Sequence, residues 1–265
     1  KFISFGSGSS GNCYFLYTET DGLIIDCGVG IRALNKNFFN YGLHLSQIRH
    51  ILITHDHADH VKSVGSLAAS CQCAVYSTEL VHEGIQRNWY VRKKIEPAYR
   101  RLLEKNIQVQ IGEFLVTPFP VSNDSIDNVG YEIKVNDVTF VIITDCGVMT
   151  DTVCSHISNA NYLVIEANYD REMLAEGPYP EHLKQRIAGE RGHMSNQDCG
   201  KALAENVTPK LHHVWLCHLS EENNHPELAR KTVEAILRSY GLAPGKDFML
   251  DVLKRQIPTG IFDMQ

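Results

Sequence analysis

No C-x-x-C pair occurs in this sequence, although it holds eight cysteines in 265 residues. They are scattered singly, and only Cys71 and Cys73 lie close together. That spacing excludes the usual structural zinc knuckle and offers no disulfide framework, so the thiols are expected to be small buried groups in a reducing compartment. Cys27, Cys146 and Cys217 each adjoin a candidate site residue; side chains alternate along a strand, which turns these three toward the core. No run approaches the ~18–20 apolar residues of a membrane-spanning helix. Lys1-Phe2-Ile3-Ser4-Phe5 leads straight into a Gly/Ser loop, without the apolar stretch and small-residue cleavage site of an export signal. A cytoplasmic protein with no membrane association is the expectation. Positive charge is also short: the net charge of −6 argues against a protein that coats nucleic acid along its whole surface.

What is present is ordinary for a globular chain, with 43% apolar and 21% charged residues. Short apolar runs bounded by turn residues read as strands at 2–5, 14–17, 23–26, 50–54, 74–77, 114–117, 131–135, 139–144, 162–166 and 213–217. Asn136-Asp137 marks a hairpin between two of them. Helical periodicity falls at 61–70, 79–105 (broken near Glu96-Pro97), 170–188, 196–206 and 226–240, with Ser195 and Asp198 as a capping pair. The second half repeats the strand-and-helix pattern of the first. An α+β fold of two packed sheets with helices on the outer faces fits this order better than a doubly wound sheet. A single domain spanning 1–265 is expected, with a basic helical insertion at about 79–105.

Gly6-Ser7-Gly8-Ser9-Ser10-Gly11 matches the G-x-G-x-x-G pattern, but a dinucleotide site needs a helix at the third glycine. Residues 13–17 read as a strand, so the loop is a strand-to-strand turn.

His55-Asp56-His57-Ala58-Asp59-His60, directly after Ile51-Leu52-Ile53, places three imidazoles and two carboxylates in six residues. A tight turn with such donors suits a borderline divalent ion such as zinc and suits a core poorly. Asp26, Asp145 and His218 each follow an apolar strand, which is where a convergent site gathers further ligands.

H-x-H-x-D-H after a strand, with Asp26 upstream and Asp145 and His218 downstream, resembles the metallo-β-lactamase superfamily over nearly the whole chain. The stretches 7–12, 166–170, 192–196 and 218–224 are similar to its bacterial WalJ/YycJ-like branch, a group associated with nuclease activity on DNA. The resemblance implies an αββα sandwich and one or two divalent ions, zinc or manganese. His55 and His57 would hold the first ion, Asp59, His60 and His218 the second, and Asp145 both. Asp26 would brace the histidine loop, with Glu166 as a second bracing carboxylate. The family's third histidine at the first ion is replaced here by Asn123, in Pro118-Phe119-Pro120-Val121-Ser122-Asn123-Asp124. An amide oxygen is a weaker, harder ligand, so the first site is expected to be weak or to prefer manganese-like ions.

A metal-dependent hydrolase follows, in which an activated hydroxide attacks phosphorus in line. Asp59 and His193 are the catalytic candidates, and His193 stands just before a helix N-terminus that favours an anion. Ser10, Asn12, Asn168, Asn223 and Asn224 are candidates to line the cleft, with turn formation as the alternative for each. Residues 87–105 carry a net charge of +5, with Arg92, Lys93 and Lys94 at the centre and Trp89, Tyr90 and Tyr99 interleaved. The segment reads either as a solvated helical face or as a contact for phosphates and unpaired bases. A nuclease acting on DNA is the leading expectation. Hydrolysis of a small phosphodiester or ester, and catalytically weak regulatory binding of nucleic acid, are the alternatives.

Overall fold

The computed structural model describes residues 1–264. The chain, read from sequence as one domain, falls into two compact units: residues 1–118, 125–128 and 254–265, and residues 119–124 and 129–253.

The first unit begins with an antiparallel meander, β1 (Phe2–Gly6), β2 (Cys13–Tyr17) and β3 (Gly22–Ile25). The Gly/Ser loop does join two antiparallel strands, as its sequence required. Three crossovers then add parallel strands. Helix α1 (Ile31–Asn40) leads to β4 (His50–Leu52), α2 (Ala58–Val61) and α3 (Val64–Cys71) to β5 (Ala74–Ser77), and α4 (Glu79–Arg87) toward β6 (Arg100–Leu102). The last strand of the chain, Thr259–Phe262, pairs back onto β1. A hairpin of β7 (Val109–Ile111) and β8 (Phe114–Pro120) ends this unit's main segment. Phe5, Phe15 and Phe38 stack at 4.5–5.0 Å within its core, where truncating one ring costs about 3–5 kcal/mol.

The segment 79–105 is not a helical insertion. Only Glu79–Arg87 is α-helical, and Arg100–Leu102 joins the sheet as β6. The helix ends at Asn88, nine residues before the Pro97 at which a break was expected.

The second unit repeats the scheme. Strands β9 (Val129–Val135) and β10 (Val138–Ile143) form the Asn136-Asp137 hairpin, with Asn136 at φ 52°. Parallel strands follow: β11 (Tyr162–Glu166) after α5 (Asp151–Asn159), then β12 (His213–Cys217) after α6 (Arg171–Glu176), α7 (Glu181–Ala188) and α8 (Asn196–Asn206). Helix α9 (Pro226–Ser239) leads to β13 (Met249–Val252), and the strand at Thr259–Phe262 is β14. This unit has its own core, including Ile143, Ile165, Leu216, Leu203 and Val233. Cys27 lies in the first core and Cys146 in the second, and Cys217 is fully buried. Among the described residues no helix is long and apolar enough to cross a membrane.

Parallel strands end together at one edge of a sheet, and loops at that edge are where open α/β sheets hold their ligands. Each unit places its candidate residues there.

Candidate functional site

In the first unit the carboxyl ends of β3 and β4 are neighbours, so Asp26 and Thr54 meet at one sheet edge. Asp26 is fully buried with φ 61°, a left-handed backbone that a non-glycine residue adopts at a cost. Its Oδ1 accepts the Thr54 N–H at 2.8 Å, and its Oδ2 accepts the Thr54 hydroxyl at 2.8 Å. The same Oδ2 lies 2.7 Å from His60 Nδ1. Because the Thr54 hydroxyl donates to Asp26, its oxygen accepts from His55 Nδ1 at 2.9 Å. Both rings therefore carry their proton on Nδ1 and present the Nε2 lone pair, the tautomer a metal ligand needs.

His55 and His60 are buried with ring centroids 4.1 Å apart, while His57 and Asp59 are partly exposed at the start of α2. His57 lies 4.7 Å from His55, centroid to centroid. The loop backbone is pinned by Asn12 N–H to Asp59 O at 2.8 Å and Cys27 N–H to His60 O at 2.7 Å. A Cβ at Gly28 would stand 1.6 Å from the Asp59 carbonyl oxygen, so only glycine allows this approach. Asn12 is wholly buried, and its amide nitrogen points at Asp59 Oδ2 (3.2 Å) and His60 Nε2 (3.1 Å). It orients these side chains and does not line a cleft. Ser10 is exposed on the neighbouring loop, with its carbonyl held by Lys62 Nζ.

In the second unit the register of β10, β11 and β12 brings Asp145, Glu166 and His218 to one edge. Asp145 (φ 49°) and His218 (φ 55°) share the left-handed backbone of Asp26. His193 arrives on the loop before α8, held by its N–H to Ile187 O at 2.8 Å. One ligand-type atom from each of Asp145, Glu166, His193 and His218 lies within 4.8 Å of the others. Glu166 is saturated: Oε2 accepts the N–H groups of Cys146 (2.8 Å) and Met194 (3.0 Å), and Oε1 faces Nδ1 of His193 (2.8 Å) and of His218 (2.9 Å). It braces two imidazoles, as Asp26 does in the other unit.

Electrostatics agrees with this geometry. Burial opposes ionisation of Glu166, but His193 and His218 outweigh it and its pKa is lowered. Burial likewise disfavours a charged His193, and the Glu166 carboxylate outweighs that, so its pKa is raised.

Asn123 is buried in the loop after β8 and donates its side-chain amide N–H to Gly192 O at 3.3 Å, while its backbone carbonyl accepts from Arg191 Nε at 3.2 Å. It ties down the loop that carries His193. The other asparagines expected at the cleft are also buried structural ties. Asn168 donates to His218 O at 2.8 Å, Asn224 exchanges amide bonds with Asn196 and holds the 167–168 carbonyls, and the Asn223 backbone links Asp170 and Ser220. The amides of Asn168 and Asn224 satisfy buried loop backbone, and Asn223 is buried through its own backbone bonds.

The basic segment sorts in the same way. Lys94 is half-buried and directs Nζ to Ile85 O (3.2 Å) and Asn88 O (2.6 Å), capping the end of α4. Tyr99 packs against the first core. Arg92 and Lys93 remain exposed. Sequence reasoning missed Thr54, whose position just before the histidine run was the available signal, and Asn88, which carried none.

A family model described as the beta-lactamase superfamily domain matches residues 22–214. Exodeoxyribonuclease YycJ of Bacillus anthracis is 32% identical over 98% of this chain and 97% of its own. Exodeoxyribonuclease WalJ of Streptococcus pneumoniae is 32% identical over 94% and 92%. The metallo-β-lactamase fold protein YhfI from Bacillus subtilis superposes with a TM-score of 0.70 at 16% identity, over 97% of this chain and 98% of that one. That likeness shows the fold, and the α+β class expected from sequence is the class found.

Proposed function

This chain belongs to the β-lactamase superfamily, and we propose that it is a metal-dependent phosphodiesterase that cleaves DNA. The observation that carries the reading is the control of imidazole tautomers. Buried acceptors hold Nδ1 of His55, His60, His193 and His218, which presents Nε2 of each to a ligand or substrate. The relatives named as exodeoxyribonucleases support DNA as the substrate.

The metal ligands we assign are His55, His57, Asp59 and His60 in the first unit and Asp145 and His218 in the second. Neutral imidazoles and carboxylates fit zinc or manganese. Such ions supply Lewis acidity toward a phosphate oxygen and the attacking water. Asn12 engages Asp59 Oδ2 and so orients that carboxylate as ligand and as acceptor for the water's proton. His193, with Nδ1 turned to Glu166 and its pKa raised by that carboxylate against the cost of burial, acts as the imidazolium and donates its second proton, on Nε2, to the leaving or non-bridging oxygen. Asn123 in place of an imidazole weakens the first ion. A cytoplasmic location accompanies this reading, supported by eight cysteines that are all free thiols.

Degradation of single- and double-stranded DNA with zinc, manganese or chelator tests the assignment. Metal-dependent release of nucleotides, abolished by Asp59→Ala, is expected. Binding without cleavage under every condition would leave a regulatory protein in its place.

A further inference from the structure

The two most solvent-exposed aromatic rings of the basic segment are Trp89 (76% exposed) and Tyr90 (61%). Large apolar rings on a turn lose favourable burial unless something covers them. Their centroids are 5.6 Å apart and their planes tilt by 55°, so neither ring covers the other's face.

The turn that carries them is bonded to the histidine loop. Asn88 donates its amide N–H to the Asp56 carbonyl at 2.7 Å, and Asp56 lies between His55 and His57. The Asn88 side-chain oxygen accepts the Tyr90 N–H at 2.9 Å, and the Asn88 carbonyl accepts from Lys94. Val91 anchors the turn in the first core. Gly84 allows α4 to lie against the same aspartate, since a Cβ there would come within 2.3 Å of Asp56 Oδ2. The rings are thus exposed while their backbone is locked to the centre of the metal-ligand run. Next to them Arg92 and Lys93 are exposed, and Lys93 makes a long 4.0 Å pair with Glu96.

We propose that the Trp89–Tyr90 turn is a base-stacking platform that seats an unpaired nucleobase of single-stranded DNA, with Arg92 and Lys93 on the adjoining phosphates. The inference rests on the nuclease reading and names the part of the substrate that this turn contacts. Stacking on an exposed aromatic is tolerant of sequence because every base has a π-face, and cations beside the rings follow the backbone.

The chain has two tryptophans, and Trp215 is fully buried, so the fluorescence of a surface tryptophan reports Trp89 alone. Oligothymidylate with phosphorothioate linkages is expected to quench and shift that emission. A strand of equal length and charge built from abasic units is expected not to. In turnover, Trp89→Ala should raise KM on oligothymidylate by about 5- to 100-fold, with kcat falling far less, and Trp89→Phe should recover most of it. The KM rise should be confined to the base-bearing strand. Equal quenching by the abasic strand, or an equal KM change on both strands, would reduce the turn to a charge contact and overturn the platform. If the wild type cleaves neither strand, the nuclease reading fails, and the quenching comparison still decides whether bases stack here.

Discussion

The two units solve one problem with different layouts. In the first, four candidate ligands come from six consecutive residues, and Asp26 on the neighbouring strand braces the loop through Thr54 and His60. In the second, Asp145, His193 and His218 come from three separate loops; Glu166 joins the two imidazoles directly and the Asp145 loop through the N–H of Cys146. Each unit therefore rests on one wholly buried carboxylate with both oxygens engaged. The difference is in what failure does. A contiguous run keeps its ligands adjacent when its brace weakens, whereas a dispersed set depends more heavily on the carboxylate that joins its loops.

The comparison predicts its largest effect at Glu166. Glu166→Gln cannot accept from two imidazoles and two backbone N–H groups together, and it should lower kcat on DNA by about 100-fold with a stability loss of about 1–3 kcal/mol. Asp26→Asn should instead act mainly on metal affinity, by about 10- to 100-fold, with kcat recovering at high metal. Titrating zinc and manganese against both variants separates the two; recovery of Glu166→Gln by metal would erase the distinction drawn between the units.

Acid should strike the second unit through Glu132. Burial pushes this carboxyl up, but hydrogen bonds from His156, Asn159 and Lys134 outweigh it and hold its pKa at about 2. A depressed carboxylate stabilises the fold above the unfolded value near 4.5, and that contribution disappears as pH falls toward 2. The lowered Glu132 carboxyl contributes about 3 kcal/mol at neutral pH. Urea midpoints measured from pH 5.5 down to 2.5 should show this loss in the wild type and a flatter profile in Glu132→Gln.

A smaller effect is expected at Thr54. Thr54→Val keeps the shape but removes the hydroxyl that links Asp26 to His55, at a cost of about 1 kcal/mol in stability. His55 would then sample both tautomers, and metal affinity should fall by less than in Asp26→Asn. A loss as large as that of Asp26→Asn would mean that His55, and not His60, is the imidazole that the brace serves.

Much of this was legible in the residues because strand ends are easy to see. Asp26, Asp145 and His218 each follow an apolar run, and the histidine run is a dense local signal. Helices α1 and α5 were not legible, because each buries only two side chains, Leu34 and Phe38 or Val153 and Ile157, too few for a clear stripe. Strand β6 is short and exposed throughout and β14 is short and partly exposed, so they lack the apolar run that marks a buried strand. The asparagines stayed ambiguous in the sequence because the same amide that can meet a substrate can meet a buried carbonyl. Only the fold distinguishes the two.

By itself the sequence determined the donor chemistry: which imidazoles and carboxylates exist, that they follow strands, and that Asn123 stands where the resemblance expects a histidine. Donor type is a property of the side chain and needs no partner to be recognised. Tertiary structure decided tautomers, braces and exposure, because these depend on atoms far apart in the chain. It placed Asp26 34 residues from the His60 ring it orients and turned Lys94 inward to cap a helix. It also left Trp89 and Tyr90 facing solvent on a turn bonded to Asp56.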